Sequence, residues 1–345
     1  MKTLLFRRAR VVDPATGIDG LRDVLVEGGR ISKVASRITK SGAQTIDLEG
    51  LVLAPGFIDM HVHLREPGQE WKETIASGCA AAASGGFTAV ACMANTDPVN
   101  DSRAVTELIL GEAARHGSVR VHPVGAVSKR MEGKELAEVG EMVRAGAVAI
   151  SDDGRPVMDG SLMRRALEYA RIFDIPVLVH EQDECLAAGG QIHEGEISTL
   201  LGLPGMAAAA EDAMIARDLL LAEDTQGRLH IQHVSTGRGL AFIRLAKRRR
   251  VRVTTEVTPH HLTLTDEALV NYDTDFKMNP PLRPEPDRVA LLRKPAGSIV
   301  TSRSRSRTVM SAGAPASRVP PATPRTRAGP ADSSSTSRAS GSPPS

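Results

Sequence analysis

From Gly56 onward the chain repeats one pattern, a short apolar run rich in branched residues followed by a longer segment with helical spacing. The runs predict strands at Gly56–His63, Thr88–Met93, Val119–Ala126, Ala147–Ser151, Pro176–His180, Arg228–His233 and Val251–Val257. Between them, Met206–Leu220 reads as a helix with Met206, Ala210, Met214, Ile215 and Leu219 on one face. Strand–helix units recurring in this order imply an α/β fold about a parallel sheet. Seven such strands, evenly spaced but for one wider gap, predict a (β/α)8 TIM-type barrel lacking its eighth strand. A doubly wound open sheet is the competing architecture.

The flanks read differently. Residues 1–55 carry short β-like runs at Lys2–Phe6, Asp23–Val26 and Ile31–Val34, separated by turn signals such as Asp13-Pro14 and Gly28-Gly29, and form a small β domain. The barrel is expected over 56–293. Residues 294–345 turn to Arg-Ser repeats and then to Pro, Ala, Thr and Ser, with almost no large apolar residue. Such a stretch cannot offset its ordering entropy by burial and is expected to be disordered. Its abrupt onset resembles GC-rich DNA read in a shifted frame. Charge follows the same division. Residues 295–345 hold seven arginines and one acid, net +6, leaving 36 basic and 40 acidic residues before them, net −4.

Several function classes drop out. Cys79, Cys92 and Cys185 stand too far apart for a Cys-x-x-Cys pair, which argues against a thiolate metal site or a disulfide framework. No apolar run reaches the length of a signal peptide or a membrane span, so a cytoplasmic location is expected. Lys247-Arg248-Arg249-Arg250 closes a predicted helix without an aromatic platform and reads as a solvated helix end, not a nucleic-acid patch. Gly237-Arg238-Gly239 lacks the further glycine that a phosphate loop requires.

The chemistry concentrates at the C-terminal ends of the predicted strands, where barrel enzymes place their active sites. In Asp59-Met60-His61-Val62-His63-Leu64-Arg65, two histidines separated by one residue leave a strand on the same face and can share one metal ion. Asp153 follows the fourth strand, His180 ends the fifth and His233 ends the sixth. Each alone has an ordinary explanation as a turn acid or a core histidine, but packing does not explain their joint placement. Mixed imidazole and carboxylate ligands suit zinc first, with manganese or cobalt as alternatives. A carboxylate can bridge two ions, and Asp153 is the candidate bridge. Arg65, on the same face as the His pair, offers a planar fork suited to a carboxylate.

Pro55-Gly56-Phe57-Ile58-Asp59-Met60-His61-Val62-His63-Leu64-Arg65-Glu66-Pro67-Gly68 resembles the opening signature of the amidohydrolase superfamily, and of the bacterial dihydroorotase family of class I type in particular. Met93-Ala94-Asn95-Thr96, Ser151-Asp152-Asp153-Gly154, His233-Val234-Ser235-Thr236, Thr258-Pro259-His260-His261-Leu262 and Lys277-Met278-Asn279-Pro280-Pro281-Leu282-Arg283 agree with it, and the similarity runs to about residue 293. The resemblance implies a metal-dependent hydrolase of pyrimidine biosynthesis that cyclises N-carbamoyl-L-aspartate to L-dihydroorotate. It implies two Zn2+ ions per chain, one on His61 and His63, one on His180 and His233, with Asp153 touching both. It assigns Arg65 and Asn95 to the substrate carboxylate and Asn279 to the ring. His260 and His261 stay outside the metal set.

Beyond the position of Arg293, the resemblance implies an eighth strand ending in an Asp-His-Ala-Pro-His-like motif, whose Asp is the general acid/base, and then strands that complete the small β domain. No such motif is found here; the only acid after Arg293 is Asp332, and no histidine occurs after His261. No catalytic acid/base residue is therefore assigned. The rival enzyme reading is an allantoinase- or hydantoinase-like cyclic amidohydrolase, whose relatives generally bridge their metals with a carboxylated lysine. A non-enzymatic reading is a partner of aspartate carbamoyltransferase. A second copy of the chain is the other protein partner considered, and neither nucleic acid nor membrane is expected.

Overall fold

The computed structural model describes residues 2–293. The tail at 294–345, with its expected disorder, shifted frame and Asp332, lies outside the described residues.

The chain opens with five strands: β1 (Leu4–Asp13), β2 (Ile18–Glu27), β3 (Arg30–Ala35), β4 (Gln44–Asp47) and β5 (Val52–Leu53). They form a mixed sheet of order β3-β2-β1-β4, with β5 also on β1; β1 is antiparallel to β2 and parallel to β4 and β5. Phe6, Ala9, Val11, Val24 and Val26 bury one face. A bulge between Phe6 and Ala9 puts Arg8 at φ +59, and its N–H donates to Asp23 Oδ1 (3.0 Å). Burial works to raise the Asp23 carboxyl, but the N–H groups of Arg8 and Ile38 and the Arg7 guanidinium hold it low.

The parallel sheet comes next as β6 (Phe57–Val62), β7 (Phe87–Cys92), β8 (Arg120–Gly125), β9 (Ala149–Ser151) and β10 (Pro176–Val179). A two-stranded sheet, β11 (Ile192–His193) with β12 (Gly205–Met206), fills the wider gap. Then come β13 (Arg228–Ile231) and β14 (Val253–Thr255). All seven strands expected from the sequence form, in the order β14-β13-β10-β9-β8-β7-β6, each pair parallel. The inner strands β9, β10 and β13 are buried nearly throughout, as strands covered on both faces should be.

Helices α1 (Ile75–Ser84), α2 (Arg103–His116), α3 (Val139–Ala145), α4 (Gly160–Ile172), α5 (Glu184–Ala187), α6 (Glu196–Leu201), α7 (Ala209–Thr225), α8 (Gly237–Arg248), α9 (Pro259–Thr263) and α10 (Glu285–Leu292) occupy the connections. The Thr74 hydroxyl accepts from Ser77 N and the Asp159 carboxylate from Ser161 N and Leu162 N, starting α1 and α4 where side-chain caps satisfy free N–H groups. Leu162, Leu167, Ile215 and Ile243 on α4, α7 and α8 pack on Ile150, Val177, Leu229 and Ile231 of the sheet. Gly239 lets α8 close on α7, since a Cβ there would stand 2.5 Å from Ile215 Cδ1. The helix expected from Met206 begins three residues later, because Met206 pairs with His193 in the small sheet; Ala210, Met214, Ile215 and Leu219 remain its buried face.

The sheet is curled. Laid flat, six spacings of about 4.8 Å would separate β6 from β14 by about 29 Å. Yet His61 on β6 has its Nδ1 2.6 Å from Oε1 of Glu256, the residue after β14. The seven strands form a half-barrel that brings all its C-terminal ends around one point. Among the described residues, β6 and β14 each have a single neighbouring strand.

Candidate metal centre

His61, His63, Asp153, His180 and His233 converge there. Asp153 lies between two histidine pairs and gives each its own oxygen: Oδ2 stands 3.2 Å from His61 Nε2 and 3.4 Å from His63 Nε2. Oδ1 stands 3.2 Å from His233 Nε2 and 3.7 Å from His180 Nδ1. His180 Nδ1 and His233 Nε2 are 3.0 Å apart. Ligand atoms of His61, Asp153 and His233 all fall within 4.8 Å of one another, a grouping able to hold a cation. Donors at about 2.0–2.1 Å from a tetrahedral ion are about 3.3 Å from each other. The separations from Asp153 to His61, His63 and His233 match that edge and the one to His180 is longer, and four imidazoles with one carboxylate are a donor set that zinc and similar ions accept.

Local sequence explains the aim of each group. Asp152 and Asp153 are neighbours with opposite tasks. Asp152 accepts from Val127 N (2.8 Å), Ser128 N (3.1 Å) and the Ser128 hydroxyl, tying β8 to β9, and burial pushes its carboxyl up to about 6. Asp153 donates its N–H to Ser151 Oγ (3.1 Å) and turns into the cluster. His233 has φ +31, a conformation that costs an L-residue about 1–2 kcal/mol. The loop beyond it is held by Glu211 of α7, which accepts from Ser235 N (2.8 Å) and Thr236 N (3.1 Å) and pairs with buried Arg283 (3.2 Å).

The electrostatics are those of a site that attracts cations. Burial alone would lower His61, but the Asp153 and Glu256 carboxylates reverse this and push it up to about 10. His63 and His233 are lowered, chiefly by burial. Burial acts to raise Asp153, yet the imidazoles of His180, His233 and His61 hold it well below the usual carboxylate range. His61 thus keeps a proton that a divalent ion would replace.

Residues beyond the expected set orient it. Glu256 lies on His61 Nδ1, leaving Nε2 for the cluster, and its Oε2 is 3.3 Å from His230 Nε2. His230 is fixed in turn by Thr254 Oγ1 (2.8 Å). Against burial, His230 and His61 hold the Glu256 carboxyl low. Gln232 Nε2 also reaches His61 Nδ1 (3.1 Å), and Gln232 Oε1 accepts from Ser151 Oγ (3.1 Å). Glu256 could have been found in the sequence, since it ends a barrel strand as His180 does.

The expected substrate residues are placed unequally. Because β6 ends at Val62, Arg65 lies beyond the strand at φ +62, so the loop and not strand alternation sets its direction. Its charge nonetheless acts on His63. Asn95 has Oδ1 3.0 Å from His63 Nδ1 and donates from Nδ2 to the Asp153 carbonyl (3.4 Å). Asn279 is exposed, before Pro280, whose carbonyl is 3.1 Å from His261 Nε2. With Nδ1 2.8 Å from Thr258 Oγ1, His261 has both ring nitrogens occupied outside the cluster.

A family model described as dihydro-orotase-like matches residues 50–238. The dihydroorotase of Anaeromyxobacter dehalogenans (strain 2CP-C) is 56% identical over 287 residues, covering 82% of this chain and 66% of that protein. The dihydroorotase of Syntrophus aciditrophicus (strain SB) is 54% identical over 290 residues, covering 84% and 68%. The L-hydantoinase (dihydropyrimidinase) from Arthrobacter aurescens superposes with a TM-score of 0.72 at 22% identity, over 84% of this chain and 66% of that one, a likeness of fold. The chain spans about two thirds of the length of these relatives. No helix among the described residues is long and apolar enough to cross a membrane.

Proposed function

The chain belongs to the dihydro-orotase-like family, and on that premise we propose that its cluster is a two-metal dihydroorotase centre for the reversible cyclisation of N-carbamoyl-L-aspartate to L-dihydroorotate. The observation that carries this reading is Asp153, which presents one oxygen to each histidine pair. His61 and His63 would hold one ion, His180 and His233 the other, and Asp153 would serve both; zinc is the first choice. Such ions polarise a carbonyl oxygen and bring the pKa of a bound water to about 7, which is the chemistry needed to open or close an amide ring. Glu256 and Asn95 fix the rings of His61 and His63. Arg65, with the Asn95 amide, takes the substrate carboxylate, and Asn279 contacts the ring.

Proton transfer is a separate matter. A positioned general acid/base contributes roughly 10²–10⁴-fold. The residues that follow Arg293 offer no Asp-His motif for it, and slow turnover by a metal-loaded chain is therefore part of the proposal. The test is absorbance-monitored conversion of dihydroorotate, allantoin and hydantoin by the zinc-loaded chain beside the Anaeromyxobacter relative. Slow turnover confined to dihydroorotate is expected. Preference for allantoin or hydantoin overturns the substrate, and relative-like rates overturn the loss of acid/base. A folded, metal-free chain bound to aspartate carbamoyltransferase would favour a scaffold instead.

A further inference from the structure

A small cavity about the size of one water is lined by Asp152, Arg155, Leu178, His180, Glu181 and Asp218, among others. Four side-chain atoms of its lining are buried with no hydrogen-bond partner among the described residues: His180 Nε2, both oxygens of Glu181 and Asp218 Oδ2. The residues that carry them are 4%, 3% and 1% exposed. Protein groups nearby are committed elsewhere. Asp152 already accepts from Val127 N and Ser128 N at one oxygen and from the Ser128 hydroxyl at the other, and Arg155, also in the lining, gives a terminal nitrogen to the Met131 carbonyl (3.4 Å). Arg217 gives Nε to Asp218 Oδ1 (2.7 Å) and its two terminal nitrogens to the carbonyls of Met158 (2.9 Å) and Val157 (2.8 Å).

We propose that this cavity is a built site for a buried water that accepts from His180 Nε2–H and donates to Glu181 and Asp218, making Glu181 a positioning residue for His180. The inference rests on the metal reading of the cluster. With His180 Nδ1 turned toward Asp153 and His233, a ring that ligates through Nδ1 carries its proton on Nε2. A metal-bound imidazole nearly always donates that second N–H to a carboxylate, a carbonyl or water. No carboxylate or carbonyl among the described residues receives it here. A water has one acceptor side for the imidazole and two donors for carboxylate oxygens, which satisfies three of the four stranded atoms. A monovalent cation fits the two acids but would face the imidazole N–H, so the water is the better occupant.

The test combines metal affinity with crystallography on the full chain. Zinc affinity, measured by competition with a chromophoric chelator, is expected to fall about 10–100-fold at one of two sites in Glu181→Leu. Glu181→Gln keeps an acceptor for the water and is expected to stay near wild type, which separates positioning from a general loss of fold. A high-resolution structure should show one ordered water within hydrogen-bonding distance of His180 Nε2. Equal zinc affinity in wild type and Glu181→Leu, or an empty cavity, overturns the inference. Anomalous signal in the cavity of rubidium-soaked crystals overturns the water in favour of a cation. If wild type binds no zinc at all, it is the two-metal reading that fails.

Discussion

The two histidine pairs differ in how the fold holds them. His61 and His63 leave β6, an outer strand with no fully buried residue, and their side chains are 13% and 29% exposed. His180 and His233 come after β10 and β13, strands buried nearly throughout, and their side chains are 2% and 8% exposed. An outer strand supplies few packing contacts, so the first pair is oriented by polar partners: Glu256 for His61 and Asn95 for His63. The second pair is oriented by packing and by the loop that Glu211 and Arg283 anchor. One metal position should therefore respond to carboxylate and amide substitutions, the other to changes in the core and its buried networks.

The largest effect is expected where the two halves meet. Asp153→Ala removes the oxygen of both pairs, and plasma emission spectroscopy should find the metal content reduced from the proposed two ions per chain to less than one. A variant that retains both would break the comparison at its centre. His233→Ala should cost one ion and spare the other, which His61 and His63 still hold. Glu256→Gln tests the polar support of the outer pair. Loss of a carboxylate behind a ligating histidine is expected to weaken one zinc site about 10–100-fold. The other site should be unchanged in the same chelator titration.

Arg65→Ala is expected to leave metal content intact while weakening dihydroorotate binding by about 10-fold or more, the worth of a charged hydrogen bond of about 1.5–3 kcal/mol. Calorimetry with metal-loaded protein would show it, and unchanged affinity would remove Arg65 from the substrate site. The smallest effect is in pH dependence. In metal-free protein the folded-state pKa of His61, about 10, lies above the ordinary value of about 6.5. Its contribution is fully present below about pH 6.5 and is lost as pH rises through about 10. Denaturant melts of the metal-free chain should show that decline, and metal, by replacing the proton, should remove it. An NMR titration with His61 midpoint near 6.5 would contradict the assignment of Asp153 and Glu256 as its partners.

Much of this arrangement is legible from residue order. The seven barrel strands are apolar runs, buried most fully at β9, β10 and β13, so composition and spacing locate them within a residue or two. The His61 and His63 pair, Asp153, His180 and His233 emerge from one positional rule, that polar residues at the C-terminal ends of barrel strands face a common point. Glu256 obeys the same rule. Its carboxylate sits one residue beyond β14, hidden in sequence by the branched residues around it. The two-residue strands β5, β11 and β12 are too short for any period, and only tertiary pairing reveals them. The orientation of Arg65 depends on where β6 stops, which strand alternation cannot supply.

In the proposed centre Asp153 divides the cluster into two metal positions, one on each carboxylate oxygen. Anomalous diffraction at the zinc edge from crystals of the metal-loaded chain tests it most directly. Two peaks are predicted, one between His61, His63 and Oδ2 and one between His180, His233 and Oδ1. A single peak shared by all four imidazoles, or none, would contradict it.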